Sequence, residues 1–141
     1  WDVGNGNRFD NMFDSATSFN QGIGNWDVGN GTNFYSMFYG ADNFNQDIGS
    51  WDVSSATNMS GMFASSQGQN FGAIGNWDVS NVTNMSGMFN SASELNPDIT
   101  SWDVSSVTDM SQMFRDADQF NQLKDELQDD SSFHFSLQPQ G

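Results

Sequence analysis

The chain contains no cysteine, one histidine and three basic residues among its 141. Without cysteine there are no disulfide staples and no thiolate metal sites. Arg8, Arg115 and Lys124 face 18 Asp and Glu, for a formal net charge of −15. Nucleic acid is therefore not expected as a partner, because phosphate binding requires clustered Lys and Arg. An anionic membrane surface is disfavoured for the same reason. No apolar run is long enough to span a bilayer, so no membrane insertion is expected of this segment, and no signal peptide is visible. The lone His134 sits between Phe133 and Phe135. There is no cysteine nucleophile, no His cluster for zinc and no Gly-rich phosphate loop. Carboxylates are abundant, but abundance without a pocket does not make a glycosidase. The expectation is a non-enzymatic protein with no cofactor, calcium excepted.

What the sequence does hold is repetition. Trp-Asp-Val occurs at Trp1, Trp26, Trp51, Trp77 and Trp102, at spacings of 25, 25, 26 and 25 residues. A fixed period of this kind is the signature of a repeat solenoid, in which one coil cannot bury its apolar face without its neighbours. The hydrophobic content is 35%, supplied by 13 Phe, 8 Met and 5 Trp with few Leu. Large side chains at fixed points suit a narrow coil interior.

Two shorter periods lie inside each coil. Met85, Met88, Phe89 and Ala92 fall at i, i+3, i+4 and i+7, the spacing of one helix face. Thr83, just before it, is placed to cap such a helix, which would be short and partly 3₁₀. Trp102 and Val104 are two apart and share one face of an extended stretch, with Asp103 on the other. The predicted unit is a short parallel strand plus a short helix or 3₁₀ turn per coil of about 25 residues. Five coils occupy 1–122; 123–141 leaves the pattern and reads as a C-terminal cap or tail. Repeat three carries an extra residue at 66–70, so its Asn and Asp positions align to Gly72 and Ala73, with the core recovered at Phe71 and Ile74. Trp1 opens on a repeat boundary without an initiator Met, and no matching N-terminal cap is visible, which reads as a fragment or processed form.

The block from Trp77 to Phe89 (Trp-Asp-Val-Ser-Asn-Val-Thr-Asn-Met-Ser-Gly-Met-Phe), with Phe44-Asn45-Gln46-Asp47-Ile48 closing its sister repeat, resembles the BspA-like leucine-rich-repeat surface proteins. The resemblance covers about residues 1–122. It implies a leucine-rich-repeat-like fold, an extracellular or cell-surface location, and adhesion through a protein or glycan ligand. It implies no catalytic residues.

Several columns of repeated residues are candidate sites. Asp27, Asp52, Asp78 and Asp103, with Asp2 before them, would stand roughly 5 Å apart in register. Like charges so close raise one another's pKa unless compensated. Either each Asp accepts N–H groups from the turn after it, or cations bridge successive coils, which makes these Asp residues candidate calcium ligands. Asn20, Asn45, Asn96 and Asn121 read as an interior row bonding the backbone of adjacent coils. Thr32, Thr57, Thr83 and Thr108 form one Thr per coil, a thin basis for ice binding beside the capping role. The Trp row reads as core, the alternative being an exposed carbohydrate platform. Sequons begin at Asn30, Asn58, Asn81 and Asn84 as a by-product of the repeat wording. The function expected is a secreted or surface binding module; the alternative is a structural subunit that self-associates through its uncapped coil end.

Overall fold

A computed structural model describes residues 1–120. The expected cap or tail at 123–141, with His134, and the Asn121 position lie outside the described residues.

The backbone bonding explains why the period of the sequence is also a spatial period. Within a repeat, N–H groups alternate between two destinations. In repeat four, Met85, Gly87, Phe89 and Ser91 donate to the carbonyls of Asp109, Ser111, Met113 and Arg115 at 2.7–3.0 Å. The residues between them turn back three positions, Met88 to Met85 at 3.2 Å, Asn90 to Gly87 at 3.0 Å and Ala92 to Phe89 at 3.0 Å. The same alternation joins repeats one to two, two to three and three to four. Each repeat is thus a tier bonded in register to the next, with parallel bridges Arg8–Asn33, Asn33–Asn58, Asn58–Asn84 and Asn84–Asp109.

The segment expected to be helical is therefore a run of tight turns. Among the described residues the helical structure is a single 3₁₀ turn, Ile74–Asn76. A helix needs i to i−4 bonds at every residue, whereas here alternate N–H groups leave for the neighbouring tier. Two left-handed positions per tier accompany this. One column is Asn11, Ser36, Gly61, Gly87 and Gln112; the other is Ser15, Gly40, Ser65, Ser91 and Asp116, all at φ +51° to +64°. Left-handed residues four apart cannot sit in a right-handed helix. The resulting four-residue turn unit still buries Met85, Met88, Phe89 and Ala92, which is why its spacing mimics a helix face. The parallel bridges likewise fall at the Asn33 column and not at Trp-Asp-Val, where a strand was expected.

The interior is a set of aromatic columns. Phe13, Phe38, Phe63, Phe89 and Phe114 stack with ring centroids 5.6–5.8 Å apart and planes within 13°. Phe19, Phe44 and Phe71 form a second column at 5.6 and 5.7 Å. Trp51, Trp77 and Trp102 are buried and stack at 6.5 Å with planes 4° apart. Each of these three indoles also donates Nε1–H to a carbonyl of the preceding tier: Trp51 to Ile23, Trp77 to Ile48 and Trp102 to Ile74, at 2.9–3.1 Å. A buried indole therefore keeps its polar atom satisfied while its rings fill the core. Trp26 is half-buried, and Trp1, stacked on it at 6.0 Å, is 92% exposed.

Repeat three settles its irregularity locally. Asn45 Oδ1 accepts the N–H groups of Gln69 and Asn70 at 3.1 and 2.9 Å, as Asn20 Oδ1 accepts that of Asn45 at 2.9 Å. The Asn position of this repeat is thus Asn70, not Gly72. Gly72, at φ +81°, lies against the Asp47 carboxylate, and a Cβ there would overlap it. Phe71 and Ile74 fill the core, both 1% exposed or less.

Candidate functional site

With the apolar side chains turned inward, each outward position of the tier becomes a row along the stack. Asp2, Asp27, Asp52, Asp78 and Asp103 form one such exposed row. Each Oδ1 accepts the N–H two residues on, at Gly4, Gly29, Ser54, Ser80 and Ser105, over 3.0–3.1 Å. Ser54, Ser80 and Ser105 add a hydroxyl bond at 2.6 Å. These are Asx turns, which hold the chain as it leaves Trp-Asp-Val. The hydroxyl and then the N–H of Ser54 hold the Asp52 carboxyl below the usual carboxylate range. Ser80 does the same for Asp78, against an opposing push from Asp103 and Asp52. Hydrogen bonding to the charged form thus outweighs repulsion within the row. Among the described residues no group of three or more His, Cys, Asp or Glu gathers closely enough to hold a metal ion. The calcium candidates Asp27, Asp52, Asp78 and Asp103 therefore stand in line, each engaged with its own turn.

A second acceptor row runs through the bridge positions. Asn33, Asn58 and Asn84 accept the N–H of Tyr35, Ser60 and Ser86 at 2.9 Å, and Asp109 accepts that of Ser111 at 3.0 Å. The Ser111 hydroxyl and N–H lower the Asp109 pKa, as those of Thr100 lower the Asp98 pKa. This row went unrecognised in the sequence, although Thr-Asn-Met and Thr-Asp-Met stand at the fixed period.

The remaining columns divide between structure and surface. Thr32, Thr57, Thr83 and Thr108 cap no helix. Their Oγ1 hydroxyls donate to the carbonyls of Asn7, Thr32, Thr57 and Thr83 at 3.1–3.2 Å, tying tier to tier. Asn20 and Asn45 also join tiers, but from exposed and not interior positions. Of the sequon asparagines, Asn30 and Asn81 donate Nδ2–H to Gly4 and Ser54 carbonyls at 2.8 Å, while Asn58 and Asn84 hold the turns just described.

The outer face is mostly small and polar; among the described residues its exposed large hydrophobic side chains are Trp1 and Met12 in the first tier and Tyr35 and Tyr39 in the second. Tyr35 and Tyr39 are 44% and 42% exposed. The aligned residues of later tiers are Ser60, Ser86 and Ser111 for the first, and Ala64, Asn90 and Arg115 for the second. Sequence reading missed this pair because attention to the shared wording hides the exposed positions that depart from it.

In-register tiers with a shared core and repeated outward rows define a tandem-repeat protein. The family described as "Mycoplasma protein of unknown function, DUF285" matches the chain twice in succession, over residues 1–71 and 69–132, and the chain belongs to that family. No curated protein matches the chain, and no solved structure does.

Proposed function

We propose that this chain is a non-enzymatic, extracellular or cell-surface repeat protein, a leucine-rich-repeat-like solenoid of the BspA-like kind, whose outer face binds a protein or glycan ligand. The observation that supports this reading is the division of labour within each tier. Aromatic and aliphatic side chains go inward, and the outward positions repeat in rows of Asp-Ser, Thr and Asn along the stack. Such a surface offers many equivalent contacts to an extended partner, the use to which stacked repeats lend themselves. The test is a glycan array together with a pull-down using the intact protein. A partner retained through washing supports the reading, and silence in both overturns it.

A second reading is a structural subunit joined end to end. It draws on the first tier, where a cavity of about 270 Å³ is lined by Trp1, Phe13, Phe19, Ile23 and Trp26. Self-association there would cover exposed aromatic surface. Light scattering that gives a strict monomer at high concentration refutes it.

A further inference from the structure

Tyr35 and Tyr39 belong to one tier and sit four residues apart in its run of turns. Buried Met37 and Phe38 anchor the segment between them. Neither ring is needed for packing, because the same two columns carry Ser, Ala, Asn or Arg elsewhere without loss of the tier pattern. Two large aromatic side chains thus depart from the repeat wording together, on the solvent side, in one tier. Tyrosine supplies a rigid amphipathic contact at low entropic cost, and interfaces are enriched in it.

The neighbouring tier sets the chemistry around the rings. Asn11 N–H donates to the Tyr35 carbonyl at 2.8 Å, and Ser15 N–H to that of Tyr39 at 2.7 Å. This register puts Asp10 beside Tyr35 and Asp14 beside Tyr39. Asp10 bonds Arg8 at 2.9 Å, and Asp14 accepts the Ser15 hydroxyl at 2.8 Å. Arg115 shares the Tyr39 column but lies three tiers away, roughly 14 Å on a spacing of about 4.8 Å, beyond a Debye length of about 8 Å. The field of a chain with net charge −15 repels anionic ligands and draws cations.

We propose that Tyr35 and Tyr39 form a docking site for a basic protein segment. Lys or Arg side chains lie over the tyrosine faces and point toward the adjacent carboxylates, of which Asp14 is the one not held by a cation among the described residues. Cation–π contact gives such a site a component that general charge attraction lacks. This inference rests on the binding reading above and names the partner's chemistry.

The test uses the intact chain and a short synthetic peptide alternating Arg and Ser, titrated at about 0.15 M salt. The double variant Y35S/Y39S, which removes both rings and gives position 35 the Ser of later tiers, weakens binding by about fivefold to twentyfold. Y35F/Y39F, which keeps the rings, binds much as the original does. Thermal melting of both variants matches the parent, because the rings are exposed. Equal binding by Y35S/Y39S overturns the inference, since attraction would then come from net charge alone. Loss of a neutral glycan in that variant, with no peptide binding, also overturns it in favour of a sugar platform. A partner indifferent to both substitutions, with the peptide unbound, sinks the tyrosine site but leaves the binding reading standing. Silence of peptide, array and pull-down together ends both.

Discussion

Replacing Phe63 by Ala tests whether stability passes from tier to tier through the aromatic columns. Phe63 is fully buried and stacks between Phe38 and Phe89, each 5.7 Å away. It also meets Phe71 at 4.7 Å and Trp77 at 6.2 Å. Truncating a buried Phe to Ala costs about 3–5 kcal/mol, the upper part of that range where the site cannot collapse. Collapse is hindered here because each of these neighbours is bonded to an adjacent tier, Phe38 and Phe89 to the next and Phe71 and Trp77 to the one before. A loss of about 4 kcal/mol is a large part of the roughly 5–15 kcal/mol that holds a typical domain. Phe13 is the contrasting position. It has a tier on one side only within the described residues, stacking on Phe38 at 5.6 Å, and is 9% exposed. In a stack whose stability is a sum of nearest-neighbour interfaces, Phe13→Ala costs about half as much as Phe63→Ala. The pair F38A/F63A, in direct contact, departs from additivity by about 0.5–3 kcal/mol, whereas F13A/F114A is additive within about 0.5 kcal/mol. Urea titration followed by tryptophan fluorescence measures all of these. Equal losses at Phe13 and Phe63, with a strictly additive F38A/F63A, would refute coupling through the columns.

Four further outcomes are expected. Trp77→Phe keeps most of the stacking but leaves the Ile48 carbonyl without its 3.1 Å indole donor. The carbonyl keeps the Trp51 N–H at 3.1 Å, so the loss is that of one net hydrogen bond, about 0.5–1.5 kcal/mol, read from the denaturation midpoint. Gly72→Val meets both the left-handed φ of +81° and the Asp47 carboxylate, and lowers the melting temperature well beyond Gly61→Ala, which meets only a φ of +64° and the Ser36 hydroxyl at 3.0 Å. The folded-state pKa values of Asp52, Asp78, Asp98 and Asp109 lie below the ordinary 3.8. Their contribution to stability is therefore fully present above that value and is lost as pH falls through the depressed folded values. Ser80→Ala moves the Asp78 titration, followed by NMR, back up toward 3.8, and an unmoved titration contradicts the Asx-turn account. Millimolar calcium leaves the melting temperature unchanged, since each Asp of the row already serves its own turn; a rise of several degrees would return Asp27, Asp52, Asp78 and Asp103 to the role of ligands.

Much of the core could be read from spacing alone. Trp51, Trp77 and Trp102, the Met85-Met88-Phe89-Ala92 set, and Phe71 with Ile74 in the irregular repeat were all expected inside and lie inside. Identity at a fixed period suffices for that, because an in-register stack must bury the same position in every tier. The outer rows were legible as rows but not in their bonding. Whether a Thr hydroxyl caps a helix or reaches the tier before it, and whether an Asn amide faces inward or outward, depends on where the neighbouring carbonyls fall.

The amino-acid sequence by itself determined the period, the composition of the interior columns and the strongly acidic exterior, since each of these follows from which residue recurs where. Only the tertiary structure decided the backbone that realises them. A spacing of three and four residues fits a helix and fits a chain of four-residue turns equally well. The choice lies in whether alternate N–H groups find acceptors along their own chain or across to the adjacent tier. That choice appears at Ser15, Ser65 and Ser91, whose left-handed φ values break any helix, and whose N–H groups are satisfied by Tyr39, Asn90 and Arg115 of the neighbouring repeat.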